Sequence, residues 1–443
     1  MDAPPVEPSR TRYGVIVFGV LLAAIQYIDR VCISKAAPLI QRDLRLDKED
    51  MGWIFAAFTI AYALFEIPTG LLGDKFGPRK TLVRVVLWWS FFTAATGWMW
   101  SRASMFVCRF LFGIGEAGCF PNLTRAFSTW LRPEEKVRAQ AILWMFARLG
   151  GAGTPLLVTV VLRSLEAHHL GWPTAFLIFG SIGLGWAGAF WLWFRDDPKD
   201  HPGVNAAEQA LLANNPPVAR HDAVPWRRFS ASGTTWLLWL QYACFSYCWY
   251  FYVTWLNSFL DEFYKGISEI DRAMLAGVPL FCGAFGNLLA GLVMNRLTRW
   301  AGSILRARRL LGFLGMACAA ACFLAPARVI DHPGLVMLAM GAASFFGDLT
   351  MPCSWGACMD VGGKFAGTYS GSMNMMGNLG GAVSPVAVAW MVKHFNYQRA
   401  FDVSAGVYFV AGLCWLFIDP VTPLDRPPAP DDSSATAGAS AGS

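Results

Sequence analysis

Gly70-Leu71-Leu72-Gly73-Asp74-Lys75-Phe76-Gly77-Pro78-Arg79-Lys80 decides the fold, because it is a short charged loop pinned between two long apolar runs, 50–73 and 81–100. An aspartate in such a loop suits the positive end of a neighbouring helix, and Lys75, Arg79 and Lys80 suit a water-facing surface. Gly70, Asp74, Lys75, Gly77, Arg79 and Lys80 therefore read as gating residues, a latch that must break when the protein opens inward.

Similar apolar runs, each bounded by Pro, Gly or charges, fall at 13–34, 104–125, 138–163 and 172–194, and again at 233–258, 270–295, 308–328, 334–357, 365–391 and 399–419. Each is long enough for a span of about 20 residues. The expectation is an all-α membrane protein of twelve transmembrane helices in two pseudo-symmetric six-helix bundles. Residues 1–194 and 230–419 form the bundles, 195–229 a cytoplasmic central linker, and 420–443 a disordered cytoplasmic tail. Of the 443 residues 55% are hydrophobic and only 15% charged, against about 25% charged in soluble domains, which excludes a water-soluble enzyme. The net charge of +6 comes from cations in short loops, so nucleic acid is not the partner. Lys and Arg number about 22 on the side shared by both termini and about 11 on the other, which places both termini in the cytoplasm. The first run, with Arg10 and Arg12 before it, reads as an uncleaved span. The eleven cysteines have no metal-type spacing and read as packing residues.

The halves repeat. Arg148-Leu-Gly-Gly-Ala-Gly-Thr-Pro155 reappears 230 residues later as Asn378-Leu-Gly-Gly-Ala-Val-Ser-Pro385, and Gly70-Leu-Leu-Gly-Asp74-Lys75 has a weaker echo in Gly291-Leu-Val-Met-Asn295-Arg296. Duplicated halves are the usual build of a secondary transporter, with the substrate at the repeat interface.

Ionisable residues inside spans are costly and mark function. Here they are Asp29, Arg30, Glu66, Arg109, Glu116, Arg148 and Asp348, and no histidine lies in a span, so a proton carrier must be a carboxylate. Arg109 and Glu116 are two turns apart on one helix face, while the adjacent Asp29 and Arg30 diverge by about 100°. These positions suit a network of Asp29, Arg30, Arg109 and Glu116, in which protonation of a carboxylate frees an arginine for a substrate anion. Tyr27 lies two residues before Asp29, and Tyr62 lies one turn before Glu66, which suits either a gate or a proton. The second half offers Tyr250, Trp255, Asp348, Trp355, Asn374 and Asn378, with Ser354 beside Trp355 taken into the same set. Arg148 is a third span cation, either a second anion contact favouring a diacid or a permanent partner of Asp29 or Glu116.

The loop at 70–80 has the signature spacing of the major facilitator superfamily. Tyr27-Ile-Asp29-Arg30, Arg109-Phe-Leu-Phe-Gly-Ile-Gly-Glu116-Ala-Gly-Cys-Phe-Pro121-Asn, Trp249-Tyr250-Phe-Tyr-Val-Thr-Trp255-Leu256, Met373-Asn374-Met-Met-Gly-Asn378 and Asp196-Asp-Pro-Lys-Asp-His-Pro-Gly resemble its anion:cation symporter branch, which includes bacterial hexuronate, galactonate and glucarate carriers and sialin. The resemblance implies that Arg30 holds the substrate carboxylate, that Asp29 and Glu116 take protons under the influence of Arg109, and that Tyr62, Trp355 and Asn374 touch a sugar acid. One departure is Arg148, next to the position where some galactonate carriers have an amide. The resemblance thus implies a proton-coupled importer of a hexuronate, aldonate or aldarate, monomeric in a bacterial inner membrane, with the proton as coupling ion, lipid around it, and no metal or other cofactor. An exchanger or uniporter of the same fold, or a sensor without flux, are the alternatives.

Overall fold

The computed structural model describes residues 7–216, 222–266, 269–326, 328 and 332–425. Among these there are seventeen α-helices and no strand. In the first half they are α1 (Gly14–Leu44), α2 (Lys48–Phe76), α3 (Pro78–Thr96), α4 (Arg102–Glu116), α5 (Cys119–Trp130), α6 (Pro133–Ala167) and α7 (Trp172–Trp193). Two short helices, α8 (Ala206–Leu212) and α9 (Trp226–Ala231), belong to the connection. The second half holds α10 (Gly233–Thr254), α11 (Leu256–Phe263), α12 (Glu269–Ala301), α13 (Ile304–Leu324), α14 (Pro333–Asp348), α15 (Met351–Gly362), α16 (Ala366–His394) and α17 (Tyr397–Phe417).

Nine stretches of the described residues are long and apolar enough to cross a membrane, and one of them, Pro333–His394, contains two crossings. Two further crossings fall short on composition: Pro78–Thr96 carries Arg79, Lys80 and Arg84, and Gly233–Thr254 is rich in Tyr and Trp. The result is twelve transmembrane helices in two six-helix bundles.

Several helices outrun their apolar cores. The 31 residues of α1 measure about 46 Å, more than the roughly 30 Å of hydrocarbon, so its polar end around Lys35 and Arg42 stands clear of it. Asp47 then caps α2 by accepting from the Asp50 amide at 2.7 Å.

Two spans are broken inside the bundle, each a few residues before a proline. Pro121 and Pro352 lack an N–H and their rings clash with the carbonyl four residues back. The fourth crossing divides at Ala117–Gly118, between α4 and α5, and the tenth at Leu349–Thr350, between α14 and α15. Each break leaves an acid as the last residue of the preceding helix, Glu116 and Asp348.

Residues 195–216 lie under the first half. Arg12, buried, donates to Glu208 at 2.8 Å and to Glu135 at 3.1 Å, tying the chain start, the connection and α6 together. We call this side of the bundle the linker face. Composition predicts disorder from residue 420 onward, and the structure corrects this for 420–425. They fold back under the second half, where Arg308 donates to the Pro420 carbonyl, the Leu424 amide bonds to Val361 at 2.8 Å, and Asp425 accepts from the Lys364 amide at 3.1 Å. Burial raises the Asp419 carboxyl, but the Thr422 hydroxyl and the Val421 and Thr422 amides outweigh it and hold it below its usual range. The rest of the tail, from 426, lies outside the described residues.

Glycines set the helix spacing. A Cβ at Gly286 of α12 would run into the Phe345 carbonyl of α14, whereas one at Gly277 on the same helix would meet nothing within 4 Å. Gly286→Ala is expected to lower the thermal midpoint in detergent by several degrees, the result of about 1–3 kcal/mol of overpacking. Gly277→Ala is expected to leave it level or raise it, because alanine favours the helix by up to about 1 kcal/mol.

Candidate functional site

Helices α1, α2, α5 and α6 build the first wall of a central cavity, with proline-broken α4 packed behind it. Arg30 Nε donates to Glu116 Oε1 at 2.9 Å, and Nη2 lies 2.7 Å from the same oxygen. Glu116 is fully buried, while the Arg30 side chain keeps 30% of its surface open, facing the cavity. Its guanidinium sits 4.9 Å from the Tyr62 ring, 5.0 Å from Phe58 and 6.0 Å from Tyr27. Asp29, about 100° round α1 from Arg30, is buried, with Trp89 and Arg109 beside its carboxylate. Arg109 is also buried and lies 4.2 Å over Phe112 and 5.4 Å over Phe58. The expected four-member network is thus one tight pair, Arg30–Glu116, with Asp29 and Arg109 packed behind it.

The second wall comes from α10, α15 and α16. The cavity is lined by Tyr27, Arg30, Tyr62, Arg148, Tyr250, Asn374 and Asn378, together with Phe120, Trp144, Tyr242, Phe245, Ser246, Trp249 and Met351. Its volume is about 80 Å³, room for a handful of waters at roughly 10–15 Å³ each. Ser354 and Trp355 are not on the wall. Ser354 accepts from Gln241 at 3.0 Å, and Trp355 donates to the Tyr242 hydroxyl at 3.1 Å and packs on Trp144 and Phe120. Trp355 holds lining residues from one layer back, while Ser354 is tied to Gln241 behind the wall.

Arg148 pairs with neither Asp29 nor Glu116. It reaches across to the second half, with Nη2 2.7 Å from Asp348 Oδ1 and Nε 3.2 Å from Oδ2, and its guanidinium lies 4.5 Å over Trp249. Glu66 also bridges the halves, accepting from Asn374 and, at 3.2 Å, from Asn378.

From mid-depth to the linker face the halves are stitched together. Asp74 accepts from the Gly367 amide at 3.0 Å and from the Thr368 amide and hydroxyl at 2.6 Å each, at the start of α16 where amides are free and the helix dipole is positive. Buried Arg125 stands 3.5 Å from Asp74. Gly70 and Gly367 meet backbone to backbone, leaving no room for a Cβ. Gly77, at φ +85°, faces the Asp196 carboxylate, which accepts from the Arg79 amide at 2.8 Å. The Arg79 side chain lies over Trp191 of its own half, and Lys75 and Lys80 are exposed. Lys136 crosses to Asp360 at 2.7 Å, and Asp360 also accepts from Arg308 at 2.7 Å. Sequence reasoning counts Lys136 and Arg308 only among the loop cations that set topology and passes over Arg125 and Asp360. The signal that could find them is their position, charges at the very ends of apolar runs.

Two bundles around a polar cavity, sealed along one face, define a membrane transporter rather than an enzyme. Residues 19–385 match the family described as the Major Facilitator Superfamily, and the chain belongs to it. It is 35% identical over 422 residues to a probable sulfoacetate transporter, SauU, of Cupriavidus necator, covering 94% of this chain and 96% of that one. It is 30% identical over 431 residues to the probable galactarate/D-glucarate transporter GarP of Escherichia coli K12, covering 92% and 94%. The human organic anion transporter MFSD10 superposes with a TM-score of 0.68 at 16% identity over 93% of this chain and all of that one, a likeness of fold.

The Asp74 contacts are charge-assisted and buried, each kind worth about 1.5–3 kcal/mol, so losing them shifts a two-state balance by about tenfold or more. Asp74→Asn is therefore expected to expose the cavity from the linker face. Alkylation of a cysteine placed at Ser246, in a background freed of the eleven native cysteines, should rise several-fold for reagent added on that side. Unchanged labelling would refute the latch.

Proposed function

We propose that the protein is a proton-coupled symporter that carries an organic anion of the sugar-acid or short sulfonate class inward by alternating access, with both termini cytoplasmic in a bacterial inner membrane. The carrying observation is Arg30: a cavity-facing guanidinium whose carboxylate partner, Glu116, is wholly buried. The likeness to probable transporters of sulfoacetate and of galactarate/D-glucarate supports the substrate class.

Chemically, Arg30 cannot serve Glu116 and a substrate carboxylate equally. A proton on Glu116 removes the competing charge and leaves the guanidinium to the substrate, which it can hold by paired N–H···O bonds. Asp29, one residue before Arg30 and buried, is a second proton acceptor, and Arg109 sets the field around both. Glu66 joins the site to the seam through Asn374 and Asn378, so a proton there would loosen α2 from α16. The seal on the linker face corresponds to a state that admits substrate from the opposite side.

Three outcomes test this reading. Uptake of galactarate or sulfoacetate should rise as external pH falls and collapse with a protonophore; flux indifferent to the proton gradient points to the exchanger or uniporter instead. Arg30→Ala should weaken binding at least tenfold in calorimetry, the loss of about 1.5–3 kcal/mol from a charge-assisted contact. Glu116→Gln should still bind and exchange substrate between two pools yet fail to accumulate it, and accumulation by this variant would remove Glu116 from the coupling step.

A further inference from the structure

The two proline breaks make a matched pair. Gly115-Glu116 precedes Pro121 and Gly347-Asp348 precedes Pro352, at equivalent places in the two halves, and each acid is the buried last residue of its helix. Each holds one arginine: Glu116 holds Arg30 within the first half, and Asp348 holds Arg148 across the seam. Both arginines line the same cavity. Tyr27 lies between them, one turn before Arg30 on α1 and against Gly151, which is one turn after Arg148 on α6. The two arginines are thus rooted about one helical turn to either side of the Tyr27–Gly151 contact, with Trp249 backing the Arg148 guanidinium.

We infer that Arg148 is a second anion-binding residue, and that the protein takes compact dianions whose first acid group sits on Arg30 and whose second displaces Asp348 from Arg148. The inference rests on reading the cavity as an organic-anion site and deepens it. Displacement has a consequence. The other groups facing Asp348 are Ser344 on its own helix, Tyr252 of α10, Tyr408 of α17 and the Gly283 backbone of α12 beside Cys282, while α13 presents Gly315 near Thr350; none of these carries positive charge. A carboxylate left buried without its cation is strongly disfavoured. A dianion therefore enters with one more proton, bound at Asp348, than a monoanion does, and its binding loosens a bond between the halves.

The test uses matched probes on the purified full-length protein: galactarate against galactonate, and sulfoacetate against 2-hydroxyethanesulfonate, each pair differing in one acid group. Calorimetry in two buffers of different ionisation enthalpy gives affinity and proton uptake together. The wild type should bind each dianion at least tenfold more tightly than its mate and take up about one more proton. Arg148→Gln should remove most of that preference and the extra proton. Asp348→Asn, which keeps the shape and supplies an amide, should bind dianions without the extra proton, and it carries the test should Arg148→Gln fail to fold. Equal affinities within each pair, or equal losses in Arg148→Gln, overturn the second subsite while leaving the anion reading intact. Binding of none of the four probes overturns both.

Discussion

Charge inside hydrocarbon is costly unless an opposite charge or hydrogen-bond donors are held against it, and this constraint shapes much of the interior of the protein. Arg30 and Glu116, Arg148 and Asp348, and Lys136, Asp360 and Arg308 are all solutions to it. The backbone takes part as well. Breaks ahead of Pro121 and Pro352 end α4 and α14 inside the bundle and so put Glu116 and Asp348 where straight helices would place them differently.

The pairs differ in what they join. Arg30–Glu116 lies within one half and can exchange partners without moving a helix bundle. Arg148–Asp348, Glu66 with Asn374 and Asn378, Asp74 with the start of α16, and Lys136–Asp360 all span the two halves, from the cavity to the linker face. An occupant of the cavity meets the upper end of this seam directly. A ligand shifts a conformational balance only by the difference in its contacts with the two states, and contacts that compete with cross-half bonds supply such a difference. Arg148, Asn374 and Asn378 thus both line the cavity and hold the two halves together.

Much of this is legible in the chain. The loop from Gly70 to Lys80, the length of the apolar runs and the 230-residue repeat point to twelve helices in two bundles, because hydrophobic length and loop charge are local properties. Tyr27, Arg30, Tyr62, Arg148, Tyr250, Asn374 and Asn378 do meet in one cavity. Spacing cannot supply the partner of a charge. It offers Arg148 the first-half acids, yet the mate of this arginine lies 200 residues away in the other bundle. Ser354 and Trp355 carry the right chemistry but sit behind the wall, on a helix that restarts at Met351 after a break sequence spacing does not register. Lys136 reads like any loop cation because exposure, not composition, separates a topology signal from a buried bridge.

The folded-back segment ending at Asp425 gives the chain's far end an address. It leaves the bundle against Gly363 and Lys364, just ahead of the helix start that receives Asp74. A fluorophore attached at Asp425 itself would sit close to the contact between Asp74 and the start of α16. Paired with a second dye near Lys75, it would report any separation of the two halves as a distance change, without a label in the cavity.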